Sequence, residues 1–238
     1  MSVFKTALCV CLLIPSLAFA QVDEARVWSG ELGLGAAKST GNTDLQRFNG
    51  MISVQRNQDP WRHNLRLDGL YARSNGEERA RRYSVSAQTD FKVRPRDYAF
   101  HKARYEENKF NAFDYNITTS AGYGRRLLQT QSQQLDVEVG VGYRQSQRTL
   151  TGEVEGDPYL DLTANYRWQI QPGSILTHQM SAEINEERTV ARSQTKLGVR
   201  VNSRVNLSLG YDVRYNSDVA PHRENVDTET TVNMGYRF

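Results

Sequence analysis

Cysteine is nearly missing from this chain, and its scarcity excludes whole classes of protein. The two cysteines among the 238 residues, Cys9 and Cys11, both lie in a short N-terminal segment that we expect to be removed. The processed chain would then hold no thiol, which excludes small disulfide scaffolds and cysteine-ligated metal sites. We accordingly predict no metal site and no cofactor.

Long apolar runs are equally scarce, because only residues 1–20 contain one. This segment has a cation at Lys5, an apolar stretch over residues 7–13, and small residues just before Gln21. The three-part design predicts a secretory signal peptide that is cleaved before Gln21. An uncleaved anchor is the alternative, but the apolar stretch is well short of the ~20 residues of a spanning helix. We therefore expect one mature domain, residues 21–238.

A strong excess of one charge is also missing, since the formal net charge is only +3. Nucleic-acid-binding proteins usually carry a marked basic excess, so we expect no nucleic-acid partner. With 24% charged and 38% hydrophobic residues, the composition resembles that of an ordinary soluble domain. The order of the residues, rather than their amounts, is therefore the informative feature.

Alternation of apolar and polar residues is what the chain has in abundance. In residues 135–144, Leu, Val, Val, Val and Tyr alternate with Asp, Glu, Gly, Gly and Arg, and residues 61–71 and 205–215 repeat the pattern. A period of two is the period of a β-strand. Continuing this reading predicts about twelve strands, near residues 28–38, 45–56, 61–73, 81–93, 98–107, 115–127, 134–146, 159–170, 175–186, 191–202, 205–216 and 227–238.

The length, number and connections of these strands favour a membrane barrel. Most exceed the ~5 to 6 residues of soluble strands and reach the ~9 to 11 that cross a bilayer. Bacterial barrels have an even number of strands, short periplasmic turns and longer external loops. The short predicted connections are residues 57–60, 94–97, 129–133, 171–174 and 203–204. The longer ones are residues 39–44, 74–80, 108–114, 147–158, 187–190 and 217–226. We expect every mature-chain proline in a connection or at a strand edge.

In lipid, every backbone N–H and C=O needs a protein partner, so spanning strands must close on themselves. We therefore predict an all-β fold, a closed transmembrane antiparallel up-and-down barrel in the outer membrane of a Gram-negative bacterium. Its surroundings would be outer-membrane lipid and lipopolysaccharide. The charged residues predicted to face the interior are Arg62, Arg66, Asp68, Arg82, Asp90, Lys92, Asp136, Glu138, Arg144, Asp212 and Arg214. An ion-pair network that braces the wall is the favoured interpretation of the arginines, and contact with a solute is the alternative.

Aromatic residues are sorted toward the predicted strand ends, as at the two interfaces of a membrane. With both termini in the periplasm, the predicted periplasmic girdle is Trp28, Trp61 and Trp168. The predicted outer girdle is Tyr71, Tyr83, Tyr115, Tyr143 and Tyr215. One strand is ambiguous, because Tyr98 and Phe100 favour one register while Ala103 and Tyr105 favour the other, so a bulge is possible there.

The last residues form the most diagnostic local feature. Val232, Met234, Tyr236 and Phe238 alternate with small or polar residues, and the sequence stops at Phe238. This pattern resembles the terminal strand that the barrel-assembly machinery recognises. Such strands usually have glycine where this chain has Asn233.

Several motifs resemble the salt-induced outer-membrane protein family. Residues 28–34 (Trp-Ser-Gly-Glu-Leu-Gly-Leu) followed by residues 39–43 (Ser-Thr-Gly-Asn-Thr) are similar to its opening. Further similarity lies at residues 103–106, in Phe110 and residues 113–115, and at residues 122–125. The family is largely uncharacterised, so the resemblance implies an outer-membrane barrel linked to osmotic conditions and no catalytic residue. We interpret residues 39–43 as a hairpin loop rather than a binding site.

No motif for catalysis is present. A lipid hydrolase would need a serine activated by an oriented histidine, and the chain has no Gly-x-Ser-x-Gly or His-Glu-x-x-His sequence. His63 and His178 are expected on the outward face. The acidic pairs at residues 106–107 and 186–187 are interpreted as solvated loop charge, with bridging of lipopolysaccharide through divalent cations as the alternative. We predict that the protein is not an enzyme.

Two functions remain open. The first is a narrow pore for small polar or charged solutes, whose conductance would fall when Arg62, Arg66 or Arg82 is neutralised. The second is an electrically silent structural barrel that supports the envelope under salt or osmotic stress. Lipid hydrolysis is a weaker third alternative.

Overall fold

The alternating pattern produces β-strands along nearly the whole described chain. The computed structural model describes residues 27–39, 45–109, 113–219 and 224–237. The twelve strands are β1 (Trp28–Ser39), β2 (Leu45–Gln58), β3 (Trp61–Ser74), β4 (Glu77–Arg94), β5 (Asp97–Asn108), β6 (Phe113–Gln129), β7 (Gln133–Arg148), β8 (Val154–Gln171), β9 (Ser174–Ile184), β10 (Thr189–Arg200), β11 (Val205–Asn216) and β12 (Val226–Arg237). The predicted signal peptide, most of the Ser-Thr-Gly-Asn-Thr segment, and Phe238 lie outside the described residues. Within the described ranges no helix is long and apolar enough to cross a bilayer.

The strands close into one barrel. Each strand pairs antiparallel with its neighbours in chain order, and β12 pairs with β1, which confirms the predicted architecture. Between the described residues, the closing ladder reaches only from the pair Glu31 and Arg237 to the pair Leu34 and Met234. The ladder between β1 and β2 runs along the whole of β1. The seam between β1 and β12 is therefore the part of the wall with the fewest ladder hydrogen bonds.

Two connections are shorter than the sequence predicts. The loop expected at residues 74–80 is a two-residue turn, in which Asn75 and Gly76 have φ angles of 50° and 82°. Positive φ at both positions is the geometry of a type I′ turn, which Asn-Gly favours and which lets the flanking strands start at once. Likewise, the loop expected at residues 147–158 is reduced to residues 149–153, because β8 begins at Val154.

The expectation for proline is wrong at Pro158, which lies inside β8. Pro158 pairs with Tyr143 of β7. The hydrogen bond from the Gln169 N–H to the Ser132 carbonyl shows which alternate pairs of this ladder are bonded, and the pair of Pro158 and Tyr143 is one of the non-bonded pairs. The missing N–H would therefore point toward β9. The ladder between β8 and β9 begins only at Leu160, so Pro158 removes no ladder bond.

The ambiguous strand β5 is continuous. Its register with β6 is unbroken from Asp97 to Glu107, and the irregularity on its other side lies in β4, between Lys92 and Arg94. The predicted bulge within residues 98–107 is thus absent. Tyr98 and Phe100 are buried inside the barrel, whereas Tyr105 is exposed outside it.

Candidate functional site

The interior of the barrel holds a cavity of about 900 Å³, and most of the predicted inward charges line it. They are Arg62, Arg66, Asp68, Arg82, Asp136, Glu138, Asp212 and Arg214. Asp90 is buried beside Arg62 at 2.6 Å, and Arg144 lines a second, smaller cavity. Lys92 differs from the rest, because it is half exposed and pairs at 2.6 Å with Asp59 in the connection between β2 and β3.

One side of the interior is filled by aromatic rings. We call it the packed side: the inward faces of β5 to β8, with Tyr98, Phe100, Phe113 and Tyr159 all buried. Glycines opposite these rings make room for them. A Cβ on Gly124 would overlap the ring of Tyr98, and one on Gly142 would overlap that of Tyr159; Gly122 and Gly140 make room for the ring of Phe100. The glycine-rich inward faces of β6 and β7 therefore serve packing.

Each of these rings carries a cation on its face. The nearest contacts to a ring centroid are Arg62 over Tyr98 at 5.2 Å, Lys102 over Phe100 at 4.6 Å, Arg144 over Tyr159 at 5.2 Å and Arg188 over Phe113 at 4.1 Å. Such contacts stabilise by about 2 kcal/mol when they are desolvated. Cations and rings thus alternate from the end of the barrel that carries Trp28 and Arg237, which we call the terminal end, to the opposite end.

Carboxylates neutralise most cations of the packed side near the terminal end. Lys102 lies 2.8 Å from Glu138 and 3.3 Å from Asp161, while Glu138 also accepts a hydrogen bond from the Tyr98 hydroxyl at 2.9 Å. Arg126 pairs with Asp136 at 3.0 Å. These groups lie on β5, β6, β7 and β8, so the network joins strands that are not all neighbours in the wall.

A second cluster crosses the barrel. Glu106 of β5 accepts hydrogen bonds from Arg104 at 2.5 Å and from Arg214 of β11 at 2.6 Å, with Arg192 at 3.7 Å. Strands β5 and β11 are six strands apart in either direction around the barrel. The pair formed by Glu106 and Arg214, which we call the cross-barrel bridge, therefore connects opposite walls.

The remainder of the interior, formed by β1 to β4 and β9 to β12, has no buried aromatic ring among its described residues, and we call it the open side. Asn49 donates a hydrogen bond to Asn233 at 2.5 Å across the closing seam. Asn233, which stands where terminal strands usually have glycine, thus helps to link β12 to β2. The large cavity is lined by residues of both the open side and the packed side, and from both ends of the barrel. They are Arg79, Asn108 and Asp227 at one end and Gln134 and Arg167 at the other.

The outer surface carries the aromatic residues that the sequence assigns to two girdles. Trp28, Trp61 and Trp168 are exposed near the terminal end. Tyr71, Tyr83, Tyr143 and Tyr215 are exposed nearer the opposite end, and Tyr115 is half-buried against Tyr105, with ring centroids 6.4 Å apart. In the terminal strand, Val232, Met234 and Tyr236 face outward and are exposed.

Three histidines also lie on the outer surface, each hydrogen-bonded to a threonine on a neighbouring strand. The partners are Thr89 for His63, Thr119 for His101 and Thr195 for His178, at 2.9 to 3.0 Å. His222 lies outside the described residues. Within the described ranges, no group of three or more His, Cys, Asp or Glu residues could hold a metal ion.

Several interior residues were missed by the sequence-based prediction. One face of β5 carries Lys102, Arg104 and Glu106 at every second position. This spacing would have predicted that all three face the interior if the register of β5 had been clear from the sequence. The interpretation of residues 106–107 as an acidic pair is wrong, because adjacent strand residues face opposite sides of the wall. Glu106 is buried among arginines, and Glu107 is exposed outside.

Known outer-membrane barrels have a similar fold. An outer-membrane channel from Pseudomonas putida F1 is similar with a TM-score of 0.53 at 9% identity, over 91% of this chain and 99% of that chain. The NanC porin gives a TM-score of 0.53 at 12% identity, over 88% and 98%. The translocator domain of the autotransporter NalP from Neisseria meningitidis gives 0.50 at 12% identity, over 89% and 87%. At these identities the likeness shows a shared fold.

The sequence is also similar to proteins without a known role. The Uncharacterized protein YdiY of Escherichia coli (strain K12) is 28% identical over 166 residues, which are 68% of this chain and 64% of that protein. The chain thus spans less than two thirds of the length of this relative. The model of the family described as "Protein of unknown function, DUF481" matches residues 32–238, so the protein belongs to that family.

Proposed function

We propose that the protein is an outer-membrane barrel of a Gram-negative bacterium with a narrow channel for small polar or charged solutes. The observation that carries this proposal is the interior cavity of about 900 Å³, with lining residues from both ends of the barrel. The lining is rich in polar and charged groups that replace the hydration of a passing solute. A channel of this kind needs no catalytic group.

The outer face supports the membrane location. Apolar side chains such as Val141, Leu209 and Val232 are more than half exposed, and hydrocarbon would cover them. The end with the tryptophans and the chain termini is assigned to the periplasm. The terminal strand with Val232, Met234 and Tyr236 is the proposed signal for the barrel-assembly machinery, and lipid and lipopolysaccharide are the proposed surroundings.

A silent structural barrel is the second candidate, and the cross-barrel bridge favours it. Glu106 and Arg214 reach across the interior near the ends of β5 and β11, and the ion pairs around them brace opposite walls. Such a barrel would support the envelope during salt or osmotic stress without passing solute. Its loss would sensitise cells to salt while leaving solute uptake unchanged.

Electrical recording on cysteine variants separates the two candidates. Ser53 lines the cavity, whereas its neighbour Ile52 is exposed on the outer wall. Residues 21–238 contain no cysteine, so Ser53→Cys and Ile52→Cys form a matched pair for a charged, membrane-impermeant thiol reagent. In planar bilayers we expect single-channel steps that the reagent reduces in Ser53→Cys only.

Two results would overturn the channel. Correctly folded wild-type protein, identified by its heat-modifiable gel mobility, could give no current steps at all. Alternatively, the reagent could leave the steps of Ser53→Cys unchanged after its modification has been verified by mass spectrometry. The first result would favour the structural barrel, which predicts electrical silence.

A further inference from the structure

A small cavity of about 20 Å³ lies at the end of the barrel opposite the termini, beneath the connection between β9 and β10. Such a volume holds one or two water-sized groups. The charged residues that line it are the arginines Arg104, Arg144, Arg188, Arg192 and Arg214 and the carboxylates Glu106 and Glu183. Five cations thus face two anions, which leaves an excess of positive charge around a small space.

Arg188 is held in this cavity by its own connection. The Asn185 side chain accepts hydrogen bonds from the backbone N–H of Glu187 at 3.2 Å and of Arg188 at 2.6 Å, which folds the connection inward. The Arg188 guanidinium donates to the Ser146 hydroxyl at 2.9 Å and stacks on Phe113. The Arg188 side chain is therefore held both by the hydrogen bond to its backbone N–H and by the contacts of its guanidinium group.

Arg188 is a buried cation that has no carboxylate in contact among the residues that the structure describes. Its exposed fraction is 4%, and its Nε atom has no hydrogen-bond acceptor within the part of the chain that the structure describes. Burial, together with the nearby charge of Arg144, lowers the pKa of Arg188 to about 10, so the group remains charged at neutral pH. A buried charge of this kind is strongly destabilising unless an anion compensates it.

Arg144 supplies a second set of unused donors. It is 2% exposed, and one terminal nitrogen donates to Glu183 at 2.5 Å, whereas the other has no acceptor among the described residues. Arg144 and Arg188 come from different parts of the wall and line the same small cavity. Two buried guanidinium groups with free N–H donors around one cavity form the arrangement that binds anions.

We propose that this cavity is a binding site for one compact anionic group, a halide ion or the carboxylate of a small organic acid, held between Arg144 and Arg188. The cavity size selects the group, since a larger anion exceeds the available volume. The free donors would make charge-assisted hydrogen bonds to it. The site does not depend on conduction, so its test is separate from that of the channel.

Bromide is the probe, because it is compact and scatters X-rays anomalously. In crystals of the wild-type barrel soaked in sodium bromide, we expect an anomalous peak between Arg144 and Arg188. In detergent, the unfolding midpoint should rise by about 5 °C when bromide replaces gluconate at constant ionic strength, since ligands that bind only the folded state stabilise it. Gluconate is too bulky for the cavity.

Arg188→Gln is the test variant, and Arg148→Gln is its matched control. Both arginines stack on Phe113, but Arg148 does not line the cavity and pairs with Glu155 at 2.9 Å and Asp218 at 3.1 Å. We expect Arg188→Gln to lose the bromide-dependent shift and Arg148→Gln to keep it. Sodium acetate should reproduce the shift if the site also accepts a carboxylate.

Two outcomes would overturn the proposal. The first is wild-type crystals without a bromide peak in the cavity, which remains informative even if Arg188→Gln fails to fold. The second is an equal bromide shift in Arg188→Gln and Arg148→Gln, which would show general salt screening. A shift with bromide but not acetate would restrict the site to halides.

Discussion

The packed side and the open side are built from the same kind of strand, yet their interiors differ in chemistry. On the packed side, aromatic rings, cations and carboxylates pack against one another, as with Phe100, Lys102 and Glu138, and the rings and carboxylates are buried. On the open side, polar side chains such as Ser53 and Asn49 border a continuous cavity. The difference indicates that interior packing stabilises the packed side, whereas the open side depends more on its ladders.

Breaking the cross-barrel bridge should have the largest effect. Glu106→Gln leaves Arg104, Arg192 and Arg214 without their central carboxylate, and removing one member of a buried ion pair destabilises by about 3 to 5 kcal/mol. The matched change on the open side is Glu31→Gln, whose partner Lys196 lies at 3.1 Å and is partly exposed. There we expect at most about 1 kcal/mol.

Urea titration of the two variants in lipid vesicles, followed by tryptophan fluorescence, measures this difference. Equal losses for Glu106→Gln and Glu31→Gln would remove the distinction between the two sides. A gain in stability on Glu106→Gln would show that the bridge opposes folding.

Adding a methyl group to the glycine face should have the next largest effect. A Cβ on Gly122 would overlap the Val139 carbonyl oxygen and press on the Phe100 ring, whereas a Cβ on Gly69 would meet only the edge of Tyr83, at 4.0 Å. Overpacking of a filled interior costs about 1 to 3 kcal/mol. Gly122→Ala should therefore lower the urea midpoint, and Gly69→Ala should leave it nearly unchanged. A harmless Gly122→Ala would contradict close packing on this side.

The hydrogen bond across the seam should contribute less. Because Asn49 and Asn233 link β2 to β12 across the short closing ladder, Asn49→Ala and Asn233→Ala should each lose about 1 kcal/mol. A double-mutant cycle should show that the two losses are not additive. The control cycle combines Asn233→Ala with Asn116→Ala, on the opposite wall, and there the two losses of stability should be additive. Additivity in both cycles would mean that the bond does not help to close the barrel.

The smallest expected effect is a change in single-channel current when one interior arginine is neutralised. Arg82 is about one third exposed in the cavity, with Glu229 at 3.3 Å, whereas Arg62 is held by Asp90 and covers Tyr98. Neutralising Arg82 with Gln should reduce single-channel anion current by roughly half at low salt, because the local potential falls. Arg62→Gln should change the current less. The reverse order would place the conducting path on the packed side.

The sequence predicted the wall of the barrel well, because a strand with two different faces has a local signature. The alternation in residues 135–144 locates β7 and its two faces without any information about residues elsewhere in the chain. The Asn-Gly pair at residues 75–76 is another local signal, and reading it as a type I′ turn would have avoided the error in the connection between β3 and β4.

The interior could not be predicted to the same degree. Tyr98 and Phe100 face inward against the general rule that apolar residues face outward, since the glycines that receive them lie on other strands. The partners of Glu106 depend on barrel diameter and strand stagger, which no local pattern specifies. Arg188 lies in a connection, and only the folded Asn185 turn directs it inward.

The contact between Glu106 and Arg214 has a mechanical consequence. A hollow cylinder without internal struts can flatten, so its aperture varies with lateral pressure from the surrounding lipid. Here a tie of two side chains holds opposite walls at a fixed separation. In the proposed channel, the length of that tie would limit the largest solute that passes, and replacing either residue by a shorter one would change this limit.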